Sequence, residues 1–271
     1  MHQYKVFILL IQVFLFAQIS SGSFERTAQP TALFGRAMSG SALFNSGNMW
    51  LNPASIAKNT SFFTSVFYSP SPFQLEQLSN FGLNAVKDFD GVNIGAGFSS
   101  FGFSLYRETV ISFSAATIVT EFFAVGMNIH ANHLSIQSYG SASTAVVDLG
   151  VIFSATENLT IGISLNNVSR STFGADDDIP QTFVTGLSYA VLEKTAIVLD
   201  IVHDVRYTTG YRAGIEFSPH EIVTIRAGTQ SEQSKLFGGI GINVFSFQID
   251  YGIATHSELG PTHSIGITFA N

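Results

Sequence analysis

From about residue 60 onward, apolar and polar residues alternate with a period of two. In "SFQIDYGIA", Phe247, Ile249, Tyr251 and Ile253 share one face, and Ser246, Gln248, Asp250 and Gly252 share the other. "TIGISLNN" sets Ile161, Ile163 and Leu165 against Thr160, Gly162, Ser164 and Asn166, and "YRAGIEF" and "HSIGITF" repeat the scheme. Such alternation is the mark of half-buried antiparallel strands. It predicts strands over 60–69, 77–87, 91–105, 110–119, 121–135, 144–154, 158–168, 181–191, 194–203, 208–217, 220–229, 234–243, 245–254 and 261–269. That makes about 14, an even number, with lengths near the roughly 9–11 residues of a tilted membrane-spanning strand.

A soluble two-sheet sandwich produces the same alternation, so composition has to separate the two. Charged residues make up only 11% of the 271, against about a quarter in a typical soluble domain. The mean hydropathy is +0.30. Phe reaches 26 and Gly 24. The apolar face carries almost no charge through the strand centres, whereas the opposite face tolerates charge. A bilayer imposes that asymmetry, because a charge on the lipid face costs a few kcal/mol. Connections alternate too: short turns at 155–158, 192–195 and 218–221 are interleaved with longer polar loops at 137–143, 171–181, 230–235 and 255–261. The fold class expected is therefore all-β, a transmembrane antiparallel barrel.

The start of the chain sets the compartment. Lys5 precedes the apolar run Val6–Ala17, and the small polar residues "QISSGS" follow. This is the layout of a cleaved secretory signal, so residues 1–22 are excluded from the fold. Residues 23–58 then form a separate Gly- and Asn-rich segment, with the barrel over 59–271. The absence of Cys removes disulfides, thiolate metal sites and a lipoprotein anchor. Twelve Lys and Arg spread over the chain make no phosphate-tracking stripe, so nucleic acid is not a partner.

One strand changes phase. In "GVNIGAGFSSFGFSLYR" the apolar residues are Val92, Ile94, Ala96 and Phe98, then Phe101, Phe103 and Leu105. A one-residue slip sends side chains to the other face unless a bulge absorbs it. The expected site is Ser99-Ser100, flanked by Gly97 and Gly102. Such a bulge either adjusts curvature or opens a gap in the barrel wall.

"GRAMSG" followed by "NSGNMWLNPASIA" resembles the N-terminal hatch of FadL-type outer-membrane proteins. The residues that carry the likeness are Gly35, Arg36, Ala37, Ser39, Gly40, Asn48, Asn52, Pro53 and Ala54. The stretches 146–168, 211–230 and 247–269 are similar to the PorV/PorQ family, a branch of the same architecture. The resemblance implies a 14-stranded barrel with the N-terminal segment folded into its lumen as a plug. It also implies two functions. PorV-type members serve protein secretion and surface attachment of the type IX kind, which is the leading expectation. FadL-type members pass hydrophobic small molecules passively through a lateral opening at the third strand, which is the alternative. The expected partners are outer-membrane lipid and either secretion-system proteins or hydrophobic small molecules, with a monomeric barrel.

Charges predicted on the lumen face are Asp148, Asp200, Arg212, Glu216, Arg226 and Asp250. Glu216 is expected diagonally across a hairpin from Arg226, and Arg36 is expected to tie the plug to this network. Asp176, Asp177 and Asp178 read as a solvated loop tip rather than a calcium site. The seven His residues show no metal-protease spacing, and no nucleophile elbow or dinucleotide loop is complete. No Ser-His constellation of an outer-membrane phospholipase is visible. The chain is therefore expected to be a non-enzyme, with no cofactor and no metal.

Overall fold

In a computed structural model the residues described are 23–24, 28–72, 75–173, 177–231, 235–256 and 260–271. The expected signal segment, 1–22, lies outside them, as does Asp176. The described residues form β1 (Phe63–Ser69), β2 (Asn80–Phe89), β3 (Val92–Gly102), β4 (Tyr106–Thr120), β5 (Phe123–Ile136), β6 (Gly140–Ser154), β7 (Leu159–Asn166), β8 (Thr172–Phe173), β9 (Asp177–Asp178), β10 (Thr182–Leu192), β11 (Thr195–Asp204), β12 (Gly210–His220), β13 (Val223–Gln230), β14 (Lys235–Val244), β15 (Phe247–Thr255) and β16 (Thr262–Ala270). Fourteen of them close into one antiparallel barrel, with β1 paired to β16. Strands β8 and β9 make a separate two-stranded ladder between β7 and β10.

Closure follows from the pattern. Each barrel strand pairs with its neighbours in the chain, so its backbone groups are satisfied without an exposed edge. A bilayer demands that condition. The outward face is apolar and exposed. One row of directly paired residues runs Ile94, Ala115, Met127, Leu149, Leu165, Phe183 around six strands. Among the exposed outward residues are Val66, Leu83, Phe113, Ile129, Ile197, Leu199, Ile240 and Ile267.

Short turns gather at one end and longer connections at the other. The β2–β3 turn is Asp90-Gly91, both with positive φ (57° and 87°), as a two-residue hairpin of primed type requires. Several expected boundaries move, among them the 192–195 turn, which shrinks to 193–194, and the strand expected over 110–119, which starts at Tyr106. The 218–221 turn lies at Glu221-Ile222, because β12 continues to His220. The 137–143 loop shrinks to 137–139, because β6 begins at Gly140 and pairs with β5 up to Ile136.

The expected bulge in β3 is absent. Its pairing with β2 runs unbroken from Phe89↔Val92 to Asn80↔Phe101, and with β4 from Val92↔Thr117 to Gly102↔Arg107. Ser99 and Ser100 sit in regular ladder positions, with Gly97 inside the same ladder, and Gly102 (φ 102°) ends the strand. The phase slip has another cause. Phe101 continues the inward row of Asn93, Gly95, Gly97 and Ser99, so the apolar residues change sides while the backbone keeps its register. No gap exists between β3 and either neighbour.

The break in pairing lies elsewhere. Strand β6 is laddered to β5 over its whole length, but to β7 only over Leu149–Ser154. Beyond Leu149, toward the long loops, its other edge is met by the segment after β7. Val168 N donates to Val147 O (2.9 Å), Val147 N donates to Ser169 Oγ (3.1 Å), and Ser171 Oγ donates to Ala145 O. Hydroxyl groups there replace part of a strand.

Residues 28–59 pack against strand residues, among them Gly126, Gly162, Asn84, Asn128 and Glu216. They contain one helical turn, α1 (Thr31–Phe34), and 3₁₀ turns at Ser46–Asn48 and Pro53–Ile56. Asn45 and Asn52 cap the latter two by accepting from Gly47 N (2.8 Å) and Ala54 N (3.0 Å). Pro53 opens its turn, and Asn52 before it is extended (φ −148°, ψ 113°), as a residue preceding proline must be. The segment fits because the wall beside it lacks side chains. A Cβ on Gly126, Gly150 or Gly162 would overlap the Pro53 backbone, Asn52 Oδ1 or the Ser41 carbonyl.

Candidate functional site

Two clusters face each other across the lumen. On the β11–β15 side the charged residues hold the front of the inner segment. Asp200 accepts from Gly40 N (2.9 Å), Ser41 N (3.2 Å) and Ser41 Oγ (2.8 Å). Arg36 Nη1 reaches Glu216 Oε2 at 2.7 Å, and Arg226 Nε reaches the same oxygen at 2.6 Å. Arg226 Nη1 continues to Asp250 Oδ1 at 2.7 Å. The result is a chain of alternating charge, Arg36–Glu216–Arg226–Asp250, in which the buried carboxylates and guanidiniums have partners, as a low-dielectric site requires.

Glu216 and Arg226 are direct cross-strand partners, not the diagonal pair expected. Arg212 pairs across from Asp200. Asp148 stands apart from this group, on the opposite wall.

The hatch-like residues are almost all buried. Gly35 rests against Gly239 and Arg226. Ala37, Ser39, Asn52 and Ala54 are fully enclosed. Ala37 and Met38 both take φ of 57°, and the Ser39 hydroxyl donates to the Arg36 carbonyl (2.5 Å) beneath that bend. Gly40 (φ 126°) turns the chain, and Asn48 Nδ2 donates to its carbonyl at 3.0 Å. Asn52 Nδ2 donates to Ser41 O (2.7 Å) and Val151 O (3.2 Å).

On the β2–β5 side, amides replace charges. Asn84, Asn93 and Asn128 donate to the carbonyls of Ser46 (3.2 Å), Ala57 (3.0 Å) and Met49 (2.9 Å). Each is a neutral side chain satisfying a turn that has no strand partner.

Next to them lies a group the sequence did not reveal. Ser112 Oγ is 2.5 Å from His130 Nδ1, and His130 Nε2 is 2.7 Å from Asp148 Oδ2. With the imidazole donating to the carboxylate, its other nitrogen accepts the serine hydroxyl proton. The order is that of a hydrolytic triad, yet Ser112 is fully enclosed. The Trp50 ring stacks on His130 (centroids 6.3 Å, 14° between planes) and covers Gly97, the β3 partner of Ser112. A nucleophile needs access to substrate, and this serine has none. The group instead locks the wall. Asp148 Oδ1 accepts Asn167 N (2.8 Å), and Asn167 in turn holds Ser171 N (2.8 Å) and Ile179 O (3.1 Å). The signal was present in the sequence. The three residues are each separated by 18 positions, one hairpin return apart, in the inward phase.

Above the inner segment the barrel holds a half-open cavity of about 440 Å³. Trp50 and Leu51 form its floor. Val110, His130, Asn132 and Val146 line one wall, and Thr182, Val184, Val202 and Arg212 the other. Phe24, Ile179 and Pro180 line it on the side of the long loops. Phe24 stacks on Phe173 at 5.2 Å, and Leu134, Val146 and Ile179 pack with them as an apolar roof. The volume lies in the range of small-molecule sites. Among the described residues no cluster of three His, Asp or Glu is arranged to hold a metal ion.

Solved structures share this architecture. The Ralstonia pickettii toluene transporter TbuX aligns with a TM-score of 0.71 at 13% identity, over 91% of this chain and 98% of that one. The CymD monoaromatic hydrocarbon channel gives 0.67 at 15% identity, over 90% and 98%. A Pseudomonas aeruginosa FadL homologue gives 0.65 at 10%, over 92% and 98%. At such identities the likeness is one of fold. The chain is an all-β, 14-stranded closed antiparallel barrel, and its fold is similar to that of these FadL-type barrels. No family model matches it, and no curated protein does. The PorV/PorQ likeness therefore rests on the residues quoted above, and the expectation of secretion partners gains no support.

Proposed function

We propose that this protein is an outer-membrane passive transporter of hydrophobic small molecules. The observation that carries the reading is the half-open lumenal cavity between Trp50 and the Phe24–Phe173–Ile179 cluster, inside a wall with an apolar outer belt. Barrels of the same architecture include a toluene transporter and a monoaromatic hydrocarbon channel, which supports hydrophobic ligands over secretion cargo. On this reading residues 1–22 are a cleaved signal, 23–58 are a plug and 59–271 are the barrel. Arg36 and Asp200 fasten the plug to the lumen charges. No reaction is assigned to the chain, and its partners are lipid and the permeant.

The lateral exit differs from the one expected. Pairing around β3 is continuous, so a route there has no opening. The seam between β6 and residues 167–171 adjoins the cavity through Val146, Asp148 and Asn167, and is closed by a few hydrogen bonds rather than a ladder. Transport is tested by expressing the full chain in the outer membrane of a Gram-negative host that lacks its own hydrocarbon channel. Uptake of radiolabelled toluene is expected to rise several-fold over an empty vector. Equal uptake in the two strains, with the barrel shown to be folded in the membrane, overturns the reading.

A further inference from the structure

On β4–β6 the outward face changes character toward the long loops. Along β5 the outward residues Phe123, Val125, Met127, Ile129 and Ala131 are followed by His133 and Ser135. Along β6, Phe153, Val151, Leu149, Val147 and Ala145 are followed by Ser143 and Ser141. Residues 123–131 and 145–153 match the roughly 9–11 residues with which a tilted strand crosses a bilayer. The polar positions beyond them therefore stand at the level of lipid headgroups.

Register assembles these positions into a patch of two rows across three strands. Arg107–Ser135–Ser141 form one row and Thr109–His133–Ser143 the other. Direct partners on one face have Cβ atoms roughly 4.5–5.5 Å apart. Thr109 is half-buried and the rest are exposed. His133 Nδ1 lies 2.8 Å from Ser143 Oγ, and Nε2 has no partner among the described residues. With the serine hydroxyl donating to Nδ1, Nε2 carries the hydrogen and is a donor. The carboxylate of this region, Glu108, is buried on the inner face, where it accepts from Phe24 N (3.0 Å) and Tyr106 Oη (2.6 Å). Among the described residues Arg107 makes no ion pair, and neither does Arg170, which is exposed on the segment bordering β6. The patch is thus rich in donors, cationic and free of carboxylates. A phosphate group suits it, because its several oxygens accept from a guanidinium and its neighbours at once.

We propose that this patch binds a phosphate-bearing lipid headgroup, in the outer leaflet on the outer-membrane reading. Arg107 pairs with the phosphate, and His133 Nε2 and the hydroxyls of Ser135 and Ser141 donate to its remaining oxygens. The acyl chains run down the exposed side chains of Ile111, Phe113 and Ile129.

The full-length barrel in non-ionic detergent is titrated with lipid A, a disaccharide lipid bearing two phosphates, and with its dephosphorylated form. Native mass spectrometry counts the bound lipid. Wild type is expected to bind the phosphorylated form about tenfold more tightly, the order of one hydrogen bond to a charged group. Arg107→Gln is expected to lose most of that preference, and Arg107→Lys to keep part of it. Lys194→Gln removes an exposed cation from the short-turn rim and is expected to change nothing. Equal binding of the two lipids by wild type overturns the proposal. Equal losses in Arg107→Gln and Lys194→Gln also overturn it, since diffuse charge would then account for binding. If inorganic phosphate displaces the lipid at equal concentration, the patch is a site for free phosphate and the lipid assignment falls. Toluene uptake does not enter this assay, so the transporter reading stands or falls separately.

Discussion

The two sides of the lumen hold the same inner segment by different chemistry. Along β12–β15, Glu216, Arg226 and Asp250 join Arg36 with oxygens and nitrogens 2.6–2.7 Å apart, and Asp200 on β11 accepts from Gly40 and Ser41 at 2.8–3.2 Å. Along β2–β5, three asparagines spread it over separate carbonyls at 2.9–3.2 Å. The charged side fixes residues 36–41 against displacement, because pulling Arg36 away from Glu216 leaves its buried guanidinium without a carboxylate. The amide side loses one neutral bond at a time and still keeps its shape. The inner segment is thus held by charge at residues 36–41 and by neutral amides at residues 46–57.

The comparison is broken most severely at its central guanidinium. Arg226→Leu deprives both Glu216 and Asp250 of a partner, and a destabilisation of about 3–5 kcal/mol is expected in denaturant unfolding of the detergent-folded barrel. A loss below about 1 kcal/mol would place the charged side on a par with the amide side. Gly126→Ala probes the lightly held half through packing, since its methyl group would overlap the Pro53 backbone. The expected cost is about 1–3 kcal/mol, with faster proteolysis of the inner segment as the accompanying readout. Unchanged stability would mean that residues 52–54 shift freely. Asn93→Ala is the mildest change. It removes one hydrogen bond to Ala57 and is expected to cost about 1 kcal/mol by the same unfolding measurement. A cost as large as that of Arg226→Leu would erase the distinction between the two sides.

Much of this was legible in the chain. Period-two alternation marks a strand wherever one face is apolar and the other is not, and it located the barrel strands to within a few residues. Glu216 and Arg226 were readable as a pair because a tight hairpin leaves few registers open. The β3 expectation failed for a definite reason. It took apolar residues to mark the outward face throughout, and near the long loops the inward face carries Phe101. The weak seam was invisible from sequence because it arises from unequal strand lengths: β6 extends well beyond the last β7 residue paired with it. Asp148 was assigned to the lumen but not to His130, since alternation gives the face of a residue and not its partner.

What the chain determines by itself is therefore local and periodic: which residues face outward along most of each strand, where turns fall, and that residues 35–54 are too small and amide-rich to be another strand. These follow from sterics and from the transfer cost of each side chain, which act residue by residue. The tertiary structure decided what depends on closing the barrel. Closure brings β4, β5 and β6 side by side and sets Ser112, His130 and Asp148 in line. It places Trp50 over His130 and shapes the cavity above them. The inner segment must then fit whatever wall the closed ladder presents, glycines where backbones touch and carboxylates where its amides and arginine need partners.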